Sequence, residues 1–190
     1  MKFVDLFCGI GGFHIALSNN DNKCVMACDI DKECRIVYKK NFNMEPLGDI
    51  NDIKIKNIPD FDILCAGFPC QSFSHAGKQK GFKEARGTLF FNICEILKYK
   101  KPKYFILENV KNLYTHNKGK TWKIIYDSLI ELGYYTYEKP IMTNPLHFGI
   151  PQNRDRVFII GIRNDIGELP KYPIYKKIKT NITYILQSND

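Results

Sequence analysis

Short apolar runs that alternate with longer amphipathic stretches constrain the fold of this chain more than any other feature of its sequence. The apolar runs predict strands over residues 2–7, 23–28, 60–66, 103–107, 134–142 and 157–162. Among the stretches between them, 31–41 and 121–132 have the pattern of helices. Strands that are separated by helices of about 10–15 residues form βαβ units. The predicted fold is therefore α/β, with a doubly wound and mostly parallel sheet.

Composition narrows the class of protein. The 190 residues contain 28 Lys and Arg against 20 Asp and Glu, and the resulting net charge of +8 permits an anionic partner such as nucleic acid. No apolar run approaches the roughly 18 residues of a membrane span, and no secretory signal precedes the first strand, so we expect a cytoplasmic protein without membrane contact. The odd count of seven cysteines fits reduced thiols, and the spacing of Cys24, Cys28 and Cys34 does not fit zinc, so we expect no metal.

A glycine-rich turn follows the first predicted strand. Gly9, Gly11 and Gly12 allow the backbone to approach a ligand there, and the start of the next helix offers free N–H groups. The spacing differs from the dinucleotide fingerprint G-x-G-x-x-G, so a pyrophosphate is not specifically implied. Asp29 ends the second strand, where a carboxylate accepts hydrogen bonds from both hydroxyls of a ribose, and Asp49 is a candidate acceptor for an adenine amino group. The alternative is that the glycines only make a tight turn and that Asp29 caps the next helix.

Reactive side chains are predicted at the same edge of the sheet. Cys70 follows the third strand, at the carboxyl end where ligands bind in such folds, and Glu108 follows the fourth strand. A thiol beside a carboxyl group suits covalent attack on a ring, assisted by a hydrogen bond to that ring. Arg154 and Arg156 precede the last strand. Either is a candidate to bind a phosphate or carbonyl group; the alternative is that they simply pair with Asp155 and solvent. For Cys70 alone, the alternative is a structural cysteine.

The segment 67–87 is rich in Gly, Ser, Lys and Gln and has no regular pattern. A structureless connection of that length in a compact domain is usually functional. Its polar and basic side chains are candidates for contact with an anionic partner, among them Gln71, Ser74, Lys78 and Arg86. The alternative is a solvated basic loop.

Taken together, five stretches of the chain resemble the cytosine-5 DNA methyltransferases, particularly the small bacterial modification enzymes. They are DLFCGIGGF, GFPCQSFS, KQKGF with RGTLFF, ENVKN, and GIPQNRDRVFIIGIRND. They occur in the order of the family and cover nearly all of residues 1–165. The resemblance implies a Rossmann-like fold and transfer of a methyl group from S-adenosylmethionine (AdoMet) to C5 of cytosine in double-stranded DNA.

The resemblance also implies roles for individual residues. Cys70 matches the nucleophile that adds to cytosine C6, Glu108 the carboxyl group at N3, and Arg154 and Arg156 the motif arginines. The segment 67–87 matches the loop that closes over DNA, and the base leaves the duplex for this chemistry. The implied cofactor-binding residues are Phe7 against adenine, the glycines 9, 11 and 12, Asp29 at the ribose, Asp49 at the adenine amino group, and Ile30, Ile50, Pro69 and Leu89 around them.

The five matching stretches end near residue 165, and we find no further conserved segment of the family after about residue 170. Family members continue into a target-recognition domain and further conserved segments, so residues 1–170 are interpreted as the AdoMet-binding catalytic domain and 171–190 as the start of a C-terminal region. Three interpretations stay open: a fragment, a truncated gene product, or one half of a split enzyme whose partner polypeptide supplies the target-recognition domain and the C-terminal motifs.

Other functions compete with DNA methylation. A tRNA cytosine-5 methyltransferase shares the chemistry, but those relatives have Pro-Pro-Cys where this chain has Phe68-Pro69-Cys70, which favours DNA. A non-catalytic remnant or regulatory module that binds AdoMet is the second alternative. A nicotinamide-dependent dehydrogenase is disfavoured by the glycine spacing.

Overall fold

A seven-stranded sheet organises the part of the chain that the computed structural model describes, which is residues 1–18, 21–69, 89–173, 178 and 182–185. The strands are β1 (Lys2–Leu6), β2 (Lys23–Cys28), β3 (Ile63–Gly67), β4 (Tyr104–Val110), β5 (Tyr134–Thr136), β6 (Ile141–Thr143) and β7 (Arg156–Arg163). Their order is β2-β1-β3-β4-β7-β5, and β6 also pairs with β7. Strands β2, β1, β3 and β4 are parallel, whereas β7 is antiparallel to β4, β5 and β6. Only β7 among the described strands runs against the others, so the prediction of a mostly parallel α/β sheet is confirmed.

Helices cover both faces of this sheet, because successive side chains of a strand point to opposite faces. The helices are α1 (Gly12–Ser18), α2 (Lys32–Phe42), α3 (Leu89–Lys100), α4 (Asn112–Thr115) and α5 (Lys120–Glu131). On one face, Val4 of β1 packs in a core with Phe90 of α3 and Ile125 of α5. On the other face, Phe3 packs with Tyr38 of α2. The fold is therefore doubly wound and Rossmann-like, as predicted. None of the described helices is long and apolar enough to cross a membrane.

Helix α2 begins one residue later than predicted because Asp31 is its N-cap. The Asp31 carboxylate accepts hydrogen bonds from the backbone N–H groups of Glu33 and Cys34. Asn43, in the left-handed conformation at φ 51°, ends the helix. Side-chain capping satisfies N–H groups that have no partner within the helix, and is worth about 1 kcal/mol.

Pairing with β7 explains two of the differences between the predicted and the observed strands. The predicted strand 134–142 is two short strands, β5 and β6, which lie along the same side of β7. Pro140, which has no N–H group to donate, stands in the break between them. Strand β4 extends past residue 107 to Val110, because its backbone pairs with β7 as far as Arg156 despite the polar side chains of Glu108 and Asn109.

The chain after β7 returns to the sheet edge at two tyrosines. The Tyr137 hydroxyl donates to the carbonyl of Pro170 at 2.7 Å, and the Tyr172 hydroxyl donates to the carbonyl of Pro140 at 3.0 Å. The domain boundary at residue 170 stays a prediction.

Candidate active site

Two cavities open at the carboxyl ends of the parallel strands and share a wall. The first, here called the Asp29 cavity, has a volume of about 390 Å³ and is lined by Phe7, Cys28, Asp29, Ile30, Gly48, Asp49, Ile50, Asn51, Gly67, Pro69 and Leu89. The second, here called the Glu108 cavity, has a volume of about 440 Å³ and is lined by Phe7, Cys8, Gly12, Phe13, Ala16, Gly67, Glu108, Arg154 and Phe158. Phe7 and Gly67 line both. This is the sheet edge at which open α/β folds bind their ligands.

Seven of the ten residues predicted to hold the cofactor line the Asp29 cavity: Phe7, Asp29, Ile30, Asp49, Ile50, Pro69 and Leu89. The three glycines do not. Gly9 donates its backbone N–H to the Asp29 carboxylate at 2.7 Å, and Gly12 lines the Glu108 cavity. Gly11 has φ +98°, and a Cβ there would lie 2.1 Å from a ring carbon of Phe42. Its lack of a side chain is therefore explained by packing against α2, which the spacing of the glycines did not reveal.

Phe7 occupies a strained position between the cavities. Its φ of 56° lies in the left-handed region that a bulky residue rarely adopts. Strain of this kind persists where the surrounding structure holds it, and it is concentrated at functional sites. Here the turn directs the half-buried ring to the wall that the two cavities share.

The Asp29 carboxylate is held by backbone donors on two sides. One oxygen accepts from Gly9 N–H at 2.7 Å, and the other accepts from Asp31 N–H at 2.9 Å. Arg35 of α2 donates to the carbonyl of Asp29 at 2.7 Å, which fixes the turn after β2. Since Asp31 caps α2, the alternative in which Asp29 is the helix cap is wrong. Each carboxylate oxygen carries two lone pairs, so both oxygens keep capacity for a further donor in the cavity.

Asp49 lies opposite, on a segment that is bound to the end of β2. Leu47 exchanges backbone hydrogen bonds with this strand end, accepting from Asp29 at 3.0 Å and donating to Ala27 at 2.8 Å. The Asp49 carboxylate accepts from both the backbone N–H and the side-chain amide of Asn51 at 2.9 Å. Sequence reasoning missed Asn51, although its place two residues after an aspartate in a loop is typical of an Asx turn.

Residues 70–88 lie outside the described part of the chain, and with them the predicted nucleophile Cys70 and the predicted loop contacts Gln71, Ser74, Lys78 and Arg86. The residues on either side, Pro69 and Leu89, both line the Asp29 cavity. Asn109 anchors the approach to Cys70, because its buried side-chain amide donates to the carbonyl of Phe68 at 2.7 Å. Sequence reasoning missed Asn109 as well, because the predicted strand ended at residue 107 and left Asn109 outside it.

Glu108 and Arg156 form an ion pair at the Glu108 cavity. The Arg156 Nε lies 2.5 Å from Oε1 of Glu108, and both side chains are largely buried. Gly67 on the neighbouring strand leaves room for the carboxylate, since a Cβ there would lie 3.4 Å from its Oε2. A charge-assisted hydrogen bond of this kind fixes the orientation of the carboxylate. Arg156 was expected either to bind a ligand or to pair with Asp155. It pairs with an acidic side chain, but that side chain is Glu108. Asp155 contributes only its backbone carbonyl, which accepts from Nη1 of Arg156 at 2.8 Å.

Arg154 lines the Glu108 cavity, and hydrogen bonds to residues outside the cavity hold the segment that carries it. Buried Asn144 donates its amide to the side chains of Asn153 and Asp155, each at 2.9 Å. Hydrogen bonds from Asn144 and Lys111 hold the pKa of Asp155 below its usual value. This network positions the residues on both sides of Arg154.

Three of the buried cysteines are poor nucleophiles. Burial raises the pKa of Cys24 to about 11 and those of Cys28 and Cys94 to about 12. A thiol is reactive only as the thiolate, so these three are inert near neutral pH.

The chain is similar over most of its length to proteins of one known family. The model of the C-5 cytosine-specific DNA methylases matches residues 1–189. The type II methyltransferase M.HaeII of Haemophilus aegyptius is 50% identical over 190 residues, which are 100% of this chain and 58% of that protein. M.NgoBI of Neisseria gonorrhoeae, also a type II methyltransferase, is 52% identical over 165 residues, which are 87% of this chain and 51% of that protein.

A solved methyltransferase structure shares the fold. The Dnmt2 methyltransferase of S. pombe superposes with a TM-score of 0.72 at 26% identity, covering 89% of this chain and 53% of that chain. The chain thus spans about half the length of the relatives it matches. Since the family model matches nearly the whole chain and the fold agrees with that of a solved methyltransferase, the chain belongs to the C-5 cytosine-specific DNA methylase family.

Proposed function

We propose that this chain is the cofactor-binding and catalytic half of an enzyme that methylates C5 of cytosine in DNA, with AdoMet as the methyl donor. The observation that carries this proposal is the shared wall of the two cavities at Phe7 and Gly67. A methyl donor in the Asp29 cavity and a base in the Glu108 cavity are then neighbours, which a direct transfer requires.

The Asp29 cavity suits AdoMet in size and chemistry. Its volume of about 390 Å³ lies within the range of roughly 300–1,000 Å³ for small-molecule sites. Asp29 accepts hydrogen bonds from the ribose hydroxyls, and Asp49 accepts one from the adenine amino group. The ring of Phe7 and the apolar side chains of Ile30, Ile50, Pro69 and Leu89 enclose the adenine. When bound, AdoMet supplies an electrophilic methyl group.

The catalytic residues activate the base, because C5 of cytosine is itself a poor nucleophile. The thiolate of Cys70 forms a bond to C6, and the electron pair of the C5–C6 double bond moves to C5. As the negative charge develops, Glu108 transfers a proton to N3 and then accepts a hydrogen bond from the N3–H group, and it takes that proton back when the thiolate leaves; Arg156 holds the Glu108 carboxylate in place. After C5 has gained its methyl group, loss of the C5 proton to a base and expulsion of the Cys70 thiolate restore the double bond. The base leaves the duplex for this chemistry, at an unstacking cost of a few kcal/mol.

A second polypeptide, or a further segment, completes this enzyme. The chain spans 58% of M.HaeII and 51% of M.NgoBI. Sequence recognition in DNA is the function that we assign to the remaining part. The net charge of +8 supports DNA as the anionic partner.

The test is methyl transfer from labelled AdoMet to mixed-sequence DNA and to tRNA in parallel. The chain is assayed alone and together with the product of the adjacent downstream reading frame. Label in DNA supports the proposal, and label only with the added product identifies a split enzyme. Label in tRNA alone would mean that the substrate is tRNA and not DNA. AdoMet binding without any transfer would mean that the chain is a regulatory module.

A further inference from the structure

Three polar side chains link helix α3 to the Asp29 cavity. The Asn92 amide donates to the side-chain oxygen of Asn51 at 3.0 Å, and the Asn51 amide donates to Oδ1 of Asp49 at 2.9 Å. Asn92 lies in the first turns of α3, three residues after Leu89, whereas Asn51 and Asp49 line the cavity itself. Asn92 does not line the cavity and acts on it only through Asn51.

The direction of these hydrogen bonds fixes the Asn51 amide. An amide has one acceptor oxygen and one donor nitrogen. Because Asn92 presents a donor to Asn51, the Asn51 oxygen points towards α3 and its NH₂ group points towards Asp49. The Asp49 carboxylate can only accept and therefore takes the Asn51 NH₂ group, and Asn92 anchors the Asn51 oxygen from the other side; without Asn92 the Asn51 amide loses this second anchor and its orientation loosens.

Both Asn51 donors converge on the same oxygen of Asp49. Oδ1 accepts the backbone N–H and the side-chain amide of Asn51, each at 2.9 Å. Two donors match the two lone pairs of a carboxylate oxygen. The arrangement therefore fixes the plane of the carboxylate and leaves Oδ2 for a donor in the cavity.

We propose that Asn92 is a positioning residue for base recognition: through Asn51 it orients the Asp49 carboxylate, so that the cavity prefers a purine with an amino group at C6 over one with a carbonyl group there. This inference rests on the proposed function, in which Asp49 accepts a hydrogen bond from the adenine amino group. A carboxylate fixed in this way attracts a donor and repels an acceptor, so its orientation determines specificity as well as affinity.

The experiment compares two ligands that differ at C6 and, as a consequence, at N1, which carries a hydrogen only in the carbonyl form. S-adenosylhomocysteine carries the amino group, and S-inosylhomocysteine carries a carbonyl oxygen in its place. Calorimetry gives the affinity of each ligand for the wild-type chain and for Asn92→Ala, with the downstream polypeptide present if binding requires it. The wild type is expected to prefer the adenosyl ligand.

Asn92→Ala is expected to lower the affinity for S-adenosylhomocysteine about three- to ten-fold, the effect of one hydrogen bond, and not to lower that for S-inosylhomocysteine. Asn92→Ala is expected to have no further effect in a chain that already carries Asn51→Ala, since Asn92 acts only through Asn51. The matched control is Glu95→Ala, on the same helix but in a separate cleft with Lys98 and Glu131, and it should leave both affinities unchanged.

Two results would overturn the inference while leaving the proposed function intact. An equal loss of affinity for both ligands in Asn92→Ala means that Asn92 only supports the fold. An unchanged preference means that the orientation of Asp49 does not depend on it. If the wild type bound neither ligand, the cofactor assignment itself would be wrong, and this inference would fail with it.

Discussion

Arg156 reaches Glu108 diagonally across the antiparallel pair β4–β7, with its Nε 2.5 Å from Oε1 of the carboxylate. In register, Glu108 faces Phe158 and Arg156 faces Val110. The ion pair therefore joins the last parallel strand of the sheet to the strand that runs against it. Because it lies at the Glu108 cavity, a base in that cavity meets a carboxylate whose orientation is already fixed.

Arg156→Ala is expected to lower the rate of methyl transfer at least ten-fold while S-adenosylhomocysteine still binds, because Glu108 loses its orientation.

Glu108→Gln is expected to lower the rate by about 10²–10⁴, the usual contribution of general acid–base catalysis. Single-turnover transfer from labelled AdoMet measures both. Lys123→Ala removes an exposed cation that pairs with Asp127 and serves as the control. An Arg156→Ala enzyme with the wild-type rate would contradict this role.

Cys70→Ser is expected to abolish transfer and leave AdoMet binding intact, since a hydroxyl group is a far weaker nucleophile than a thiolate. DNA that contains 5-fluorocytosine provides a direct readout, because fluorine at C5 cannot leave as a proton and the Cys70 adduct accumulates. Cys34→Ser, in helix α2, is the matched control and should form the adduct normally. A Cys70→Ser enzyme that transfers methyl groups at the normal rate would exclude the covalent mechanism.

Asp29→Ala is expected to weaken AdoMet binding at least ten-fold, because hydrogen bonds to a charged group contribute about 1.5–3 kcal/mol. It also removes the acceptor for Gly9 N–H, so a loss of fold stability has to be separated from a loss of affinity. Asp31→Ala does this: it removes the cap of α2, which costs about 1 kcal/mol of stability, but no side chain of the cavity. Calorimetric affinity that is equal in Asp29→Ala and wild type would refute the ribose assignment.

Gly11→Ala is expected to destabilise the chain, because a Cβ at this position overlaps the Phe42 ring and φ is +98°. Overpacking typically costs about 1–3 kcal/mol. Gly12→Ala is the control, since a Cβ there meets no atom within 4 Å. The free energies of unfolding in urea compare the two variants. Equal stabilities would show that α1 and α2 move apart without cost.

Much of this fold was predictable, because apolar runs and helix patterns report burial directly. The parallel strands and α2 lie within a few residues of their predicted bounds. The predictions failed where long-range pairing decides the structure. Strand β4 continues through Glu108 because β7 pairs with its backbone, and the interruption between β5 and β6 depends on how both lie along β7. Neither partner is visible in a local window of sequence.

Some residues of the candidate site were predictable from the sequence and others were not. The carboxylates Asp29 and Asp49 were predicted from their positions after strands and turns, and the structure brings both to one cavity. The residues that orient them were not predicted. Asn51, Asn92 and Asn109 are ordinary polar residues in the sequence, and only their hydrogen bonds at 2.7–3.0 Å identify them.

Asp5, in the centre of β1, is fully buried, and neither of its carboxylate oxygens has a hydrogen-bond partner within the described residues. Burial, and then the negative charge of Asp29, raise the pKa of this carboxyl group well above its usual value. The backbone N–H of His14 lowers the pKa by a smaller amount. It makes no hydrogen bond of normal geometry to either carboxylate oxygen. Burial also raises the pKa of the neighbouring thiol of Cys65, which therefore stays protonated near neutral pH.

Ionisation of Asp5 should consequently make the free energy of unfolding fall with rising pH. Asp5→Asn should remove this pH dependence. Below about pH 4 the carboxyl group is protonated in both the folded and the unfolded chain, and its contribution is fully present. Above that pH the unfolded chain ionises first, so the free energy of unfolding decreases by up to about 1.4 kcal/mol per pH unit until the folded pKa is reached. The advantage of Asp5→Asn over wild type should therefore grow between pH 5 and pH 8 in urea titrations. Asp62→Asn is the contrasting control: the hydrogen bond with Lys103 lowers the pKa of Asp62, so its stabilisation is lost only as the pH falls below about 4, and its difference from wild type should stay constant between pH 5 and pH 8. A difference between Asp5→Asn and wild type that stays constant with pH would show that Asp5 is ionised in the folded chain.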